Sequence, residues 1–169
     1  MSVDSPIVIA YDGSEPARAA VREAAALFAP RRAIVLTVWE PGLNEFMLAP
    51  DPTGMGTTMI PYDPAVVREV DRASEDHALD IAHDGERLAR EAGLDAEALA
   101  VRDLTDPADA IVQRAAERDA AAIVIGSRGL RGLKSKLLGS TSNAVLHRAG
   151  RPVIVVRHAA GDAEAHDAN

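Results

Sequence analysis

The 169-residue sequence contains no cysteine, which excludes disulfide scaffolds, cysteine-ligated zinc or iron sites and thiol chemistry. Aromatic residues make up only 3% of a chain that is 47% hydrophobic, so a core must be built mainly from Val, Ile, Leu and Ala. No apolar run approaches the ~18–20 residues that a membrane span needs. The opening Met1-Ser2-Val3-Asp4-Ser5 lacks the cationic flank and long apolar stretch of a secretion signal. These absences predict a soluble, cytoplasmic protein with no membrane partner. Lysine is almost missing, with Lys134 and Lys136 as the only two. The net charge of −8 argues against a general nucleic-acid binder. Acid is in turn missing from one window: residues 126–157 hold seven Lys or Arg and no Asp or Glu. The rest of the chain sets 11 basic residues against 26 acidic ones, a balance of −15. An acidic chain with one acid-free cationic segment is built to hold a small anion.

What is present alternates. The run Pro6-Ile7-Val8-Ile9-Ala10-Tyr11 is short, β-branched and unbroken, which predicts a strand buried on both faces. Ser14 is a natural N-cap for a helix over 15–28, with Glu15 and Pro16 in its first turn. A second buried strand follows over 33–39. Residues 40–63 carry four prolines, three glycines and three methionines with no clear period, and read as a long loop. Met47, Met55 and Met59 belong to it. A helical pattern from 63 to 92 places Val67, Val70, Ile81 and Leu88 along one side, and Gly93 closes it. Then come a short strand over 98–102, a helix over 107–118 capped by Asp106, and a buried strand over 121–125. A glycine-rich loop over 126–138 leads to a helix over 140–149 and a last strand, Val153–Val156. The expected fold is a single α/β domain over 1–157: a three-layer, Rossmann-like, open parallel five-stranded sheet of order 3-2-1-4-5. Residues 158–169 read as a flexible tail. In such sheets ligands sit beyond the carboxyl ends of strands where the connection direction reverses.

The chemistry concentrates in Gly126-Ser127-Arg128-Gly129, nine further residues, and Gly139-Ser140-Thr141-Ser142-Asn143. Glycines permit close backbone approach and positive φ. A helix start offers free N–H groups and the positive dipole end. The hydroxyls of Ser140, Thr141 and Ser142 add donors, and Arg128, Arg131, Lys134 and Lys136 add charge. All suit a polyphosphate. The same residues are compatible with a plain turn whose cations form a solvated face.

The spacing G-x2-G-x9-G-[ST] resembles the ATP-binding signature of the universal stress protein family, a far more specific pattern than a lone GxGxxG. The likeness extends to IVIAYDGSEPA at the start, IVLTVW in the second strand and AGRPVIVVR at the end. It implies Tyr11 and Asp12 at the nucleotide, with Asp12 near the ribose and phosphates or a bound Mg2+. It implies Val38 against adenine, and Ile125, Gly126, Arg128 and Gly129 along the ribose and phosphate path. Gly139, Ser140, Thr141 and Ser142 would hold the phosphates of ATP. It also implies a twofold homodimer through the apolar edge strand Val153–Val156, flanked by Arg151 and Arg157.

No Walker pattern and no G-x-S-x-G elbow occurs, so the expected activity is ATP-dependent switching in a stress response with weak or absent hydrolysis. No residue is assigned a catalytic role. A related adenylating enzyme would carry an S-G-G-x-D-S type loop where this chain reads Tyr11-Asp12-Gly13-Ser14-Glu15. A nucleotide-free interaction module of the same fold stays open. Several residues read as structural. Asp12 can open an Asx-turn with Gly13, and Trp39 can be a strand-end core residue. His77, Asp80, His83 and Asp84 suit a solvated helix face, and His147 suits a helix C-terminus.

Overall fold

Branched aliphatic runs make the centre of the molecule, because a strand covered by helices on both faces must be apolar on both. The structure, a computed structural model, describes residues 5–41, 64–103, 106–127 and 138–157. Most of the loop expected over 40–63, the residues Arg128, Gly129, Arg131, Lys134 and Lys136, and the tail expected over 158–169 lie outside the described residues.

The elements run β1 (Ile7–Ala10), α1 (Glu15–Phe28), β2 (Arg32–Trp39), α2 (Pro64–Glu91), β3 (Asp95–Arg102), α3 (Pro107–Glu117), β4 (Ala122–Gly126), α4 (Ser140–Arg148) and β5 (Val153–Val156). The five strands form one parallel sheet in the order β3-β2-β1-β4-β5, as expected. Alternation along each strand divides the core in two. Ile7, Ile9, Val35 and Val124 meet Ala20, Val21 and Ala24 of α1 and Ala89 of α2. Val8, Ala10, Ile34, Leu36, Ile123 and Ile125 meet Ala108, Ile111 and Ala115 of α3 and Val145 of α4. Each large aliphatic side chain so buried contributes roughly 1.5–3 kcal/mol, so the three central strands hold the layers together.

Two expectations need correction. β3 begins at Asp95 rather than 98 and pairs with β2 along its whole length, from Arg32↔Asp95 to Trp39↔Arg102. As an edge strand it alternates, with Asp95 and Glu97 exposed between buried Ala96 and half-buried Ala98, so its first turn of sequence looks polar. On α2 the buried stripe is small: Ala78, Ala82, Gly85 and Ala89, whereas Val70 is exposed and Val67, Ile81 and Leu88 are half-buried. A Cβ on Gly85 would stand 2.7 Å from both the Tyr11 ring and Val35 Cγ1. The helix therefore lies close on the sheet, and closeness selects for small residues over large ones. At its end Gly93 takes φ +97°, and the Leu94 N–H donates to the Ala89 carbonyl (3.0 Å), the glycine-terminated cap expected there.

Candidate functional site

The connection direction reverses between β1 and β4, which are neighbours with Ala10 level with Ile125. On the other side Ala10 is level with Leu36. Tyr11 and Asp12 therefore leave the sheet beside the last residues of β2 and β4, Val38 and Gly126 among them. Val38 and Ile125 face α3 and α4. Continued from Val8 and Ala10, the same alternation carries Asp12 to that side. Tyr11 goes to the opposite side, into the core under α1 and α2.

The β1–α1 turn is closed by its own side chains. Asp12 Oδ1 accepts from the Ser14 N–H (3.0 Å), Gly13 adopts φ +77°, and Ser14 Oγ accepts from the Ala17 N–H (3.3 Å). Asp12 thus makes the expected Asx-turn and is half-buried at the sheet's carboxyl edge. Tyr11 is locked by backbone contacts: its N–H donates to the Leu36 carbonyl (2.9 Å) and its carbonyl accepts from the Thr37 hydroxyl (2.9 Å). Its own hydroxyl is buried and has no hydrogen-bond partner among the described residues. Burial pushes the phenol pKa up, Arg18 opposes, and Asp84 and Asp12 reinforce the rise.

The β4–α4 connection is built differently. Gly126 ends β4 with no room for a side chain, since a Cβ there would stand 2.7 Å from the Pro16 carbonyl group at the start of α1. Its carbonyl accepts from the Ser142 hydroxyl (2.8 Å), and Ser142 is buried. The Ser127 N–H donates to the Val156 carbonyl (2.7 Å), and the Ser127 carbonyl accepts from the Gly139 N–H (2.8 Å). Helix α4 starts with Gly139 as N-cap, no side-chain cap and no acidic residue in its first turn. Its first internal bond runs from the Asn143 N–H to the Gly139 carbonyl (2.9 Å). Ser140 is exposed and Thr141 half-buried at this end.

Asp12, Val38, Ile125, Gly126, Gly139, Ser140 and Thr141 thus share one edge and one side of the sheet. Tyr11 reaches that edge with its backbone only, and Ser142 turns its hydroxyl inward. Arg128 and Gly129 lie outside the described residues. Two cations of the acid-free window serve α3. Arg148 pairs with Asp106 and with Asp109 (2.8 Å). Arg151, expected beside the β5 edge, pairs with Asp119 (3.0 Å) and donates to the carbonyls of Ala116 and Ala120. Trp39 is buried at the end of β2 with the Arg102 guanidinium 5.6 Å from its ring centroid, and Arg102 pairs with Asp71 (3.1 Å). His83 pairs with Glu86 on α2 (2.8 Å). Among the described residues no group of three or more His, Asp or Glu is arranged to hold a metal ion, and no helix is long and apolar enough to cross a membrane.

Two residues at this edge escape a reading of the sequence. Thr37 interrupts the apolar run of β2, and that lone hydroxyl was the available signal for its bond to Tyr11. Asp103 is buried just past β3, where its N–H donates to the Trp39 carbonyl (2.9 Å), and nothing in its sequence context announces it.

A model of the Universal stress protein family matches residues 5–157. The chain belongs to the universal stress protein family. Universal stress protein YxiE of Bacillus subtilis is 30% identical over 152 residues, covering 89% of this chain and 97% of its own. A universal stress protein of Thermus aquaticus is 37% identical over 153 residues, with the same coverage of 89% and 97%. Solved universal stress proteins share the fold. That of Lactobacillus plantarum aligns with TM-score 0.65 at 22% identity, over 93% of this chain and all of its own. One in complex with cAMP aligns at 0.59 and 24% identity, over 92% and 98%. One from Archaeoglobus fulgidus in complex with dAMP aligns at 0.55 and 24% identity, over 91% and 98%.

Proposed function

We propose that this universal stress protein binds ATP with Mg2+ at the carboxyl edge between β1 and β4, as a nucleotide-dependent, cytoplasmic stress-response regulator with weak or no hydrolysis. The observation that carries the reading is the open first turn of α4, which has glycine at its N-cap and neither a side-chain cap nor an acidic residue. A helix start of this kind presents free N–H groups and about half a positive charge to an anion. The complexes of universal stress proteins with cAMP and with dAMP support adenine nucleotide as the ligand class.

In this reading the N–H groups of Ser140, Thr141 and Ser142, with the hydroxyls of Ser140 and Thr141, donate to phosphate oxygens. Val38 and Ile125 flank the adenine. Gly126, with Arg128 and Gly129 beyond it in sequence, lines the ribose and phosphate path. The half-buried Asp12 carboxylate would hold Mg2+, which needs only one or two carboxylates beside the phosphates. Bound there, the ion neutralises phosphate charge. The donor set fits binding. The sequence has no Walker lysine to cradle a γ-phosphate for transfer, which is why weak hydrolysis is part of the proposal.

The second element is a twofold dimer through β5. This edge strand pairs on one side with β4 and leaves Val153, Ile154 and Val155 half-buried without a charge among them. An apolar edge of that kind is completed by pairing. The opposite edge, β3, carries exposed Asp95, Glu97 and Arg102.

One preparation tests both. Denaturing the purified protein should release adenine nucleotide, calorimetric titration of nucleotide-free protein with Mg-ATP should saturate, and sedimentation should give a dimer at micromolar concentration. A preparation that neither releases nor binds adenine nucleotide makes the chain an interaction module instead. A monomer removes the β5 interface, and turnover of ATP at rates of ~10 per second or more removes the weak-hydrolysis element.

A further inference from the structure

We propose that the side chain of Ser142 positions the site rather than binding phosphate: its hydroxyl latches the first turn of α4 to the end of β4. The inference rests on the nucleotide reading above and deepens it. It departs from what the G-x2-G-x9-G-[ST] resemblance implies for this position.

Three observations carry it. Ser142 is 3% exposed, unlike Ser140, which is exposed, and Thr141, which is half-buried. Its single hydroxyl proton goes to the Gly126 carbonyl at 2.8 Å, a well-formed bond in a buried setting. The Gly139 N–H donates to the Ser127 carbonyl at 2.8 Å, so the successive carbonyls of Gly126 and Ser127 are tied to Ser142 and Gly139 on either side of the first turn of α4. A serine hydroxyl has one proton, and here it is directed away from the open N–H groups of the helix. Gly126 is buried, so losing this donor takes a partner from a buried carbonyl, and breaking the bond carries a penalty.

The two ends joined by this latch serve two halves of the ligand. Val38, Ile125 and Gly126 face the nucleoside, and the first turn of α4 faces the phosphates. A ligand that spans both halves gains from their being held at fixed separation, because binding of the second half is then intramolecular. The latch supplies that fixed separation and touches neither half.

Comparison of ATP with its fragments tests the assignment. The purified protein and its Ser142→Ala variant are titrated with ATP by calorimetry, and with adenosine alone and inorganic tripolyphosphate alone by ligand-observed NMR. Loss of the latch should weaken ATP about tenfold, the order expected for one buried hydrogen bond, while each fragment keeps its wild-type affinity. Ser142→Thr, which keeps a hydroxyl, should bind ATP more tightly than Ser142→Ala, and it carries the comparison with wild type if the alanine variant does not fold. Ser140→Ala should show the opposite pattern, weakening tripolyphosphate and ATP together. If Ser142→Ala weakens tripolyphosphate as much as ATP, the hydroxyl is a phosphate ligand and the proposal is wrong. Unchanged ATP affinity also overturns it. A wild-type protein that binds neither ATP nor adenosine defeats the nucleotide reading itself, a result separate from either outcome in the variants.

Discussion

Two strand-to-helix connections flank the switch point, and they solve the same problem in opposite ways. Both must start a helix beyond the carboxyl end of a central strand and deal with N–H groups that have no partner within the helix. The β1–α1 turn does so internally: Asp12 takes the Ser14 N–H, Ser14 takes the Ala17 N–H, and Glu15 adds a negative charge to the first turn. Helix α3 follows the same rule through Asp106 and Asp109. The β4–α4 connection stabilises only its base, through Ser127, Gly139 and Ser142, and leaves the helix start without cap or acid. An N-cap side chain is worth about 1 kcal/mol, and its omission at one of three comparable helices is the observation on which the proposed phosphate site rests.

The sharpest way to break the contrast is to cap α4. Gly139 has φ −62° and ψ 156°, an extended conformation open to any residue, so Gly139→Asp is compatible with the backbone. The new carboxylate can accept from the helix N–H groups and meets the positive dipole end. Unfolding should then cost up to about 1 kcal/mol more than in the wild type. The same carboxylate competes with phosphate for those donors and repels it, by several kcal/mol per charge at contact near a protein surface. Affinity for ATP should fall about 100-fold or more. Stability and binding move in opposite directions, which simple misfolding cannot imitate. Denaturant titration beside calorimetry reads both, and wild-type affinity in this variant would place the phosphates elsewhere.

The mirror change uncaps α1. Ser14→Ala should lower stability by about 1 kcal/mol in denaturant titration. ATP affinity should shift by less than about threefold, because the Ser14 hydroxyl is turned into its own helix. A large loss of affinity there would mean that the β1–α1 turn, and not α4, carries the phosphate contacts.

This contrast was half visible in the sequence. Ser14 and Asp106 could be named as caps because capping is local, decided within three residues. The order of the sheet followed from the alternation of buried runs with helices. The small stripe Ala78, Ala82, Gly85 and Ala89 is not legible beside the larger Val67, Val70, Ile81 and Leu88, because close approach to Tyr11 and Val35 is set by residues far away in the chain. The glycine pattern by itself implies room for a phosphate. At Gly126 the structure adds a second demand, contact with the backbone of Pro16. Nor does a run of three hydroxyl residues say that Ser140 is exposed while Ser142 is buried, since that depends on where the carbonyl of Gly126 ends up.

The smallest effect expected concerns the other capped helix, α3, and separates cap geometry from cap charge. The Ala108 N–H, and after it the Arg148 guanidinium, hold the Asp106 carboxyl below the usual carboxylate range. A carboxylate with a depressed folded pKa stabilises the fold above its unfolded pKa of ~3.9, and that contribution is lost as pH falls through the folded value. Asp106→Asn keeps an oxygen that can accept from Ala108 but carries no charge to titrate or to pair with Arg148. At pH 7 the variant should therefore be less stable by well under 1 kcal/mol, since the ion pair is largely exposed to water. Its deficit against wild type should shrink as pH falls below the unfolded value and through the depressed folded pKa of Asp106, where the carboxyl takes up its proton. Thermal melts of the two proteins across that range measure the difference directly. A deficit that stays constant would assign the whole contribution of Asp106 to geometry, and the capped helices would then differ from α4 in shape alone rather than in charge.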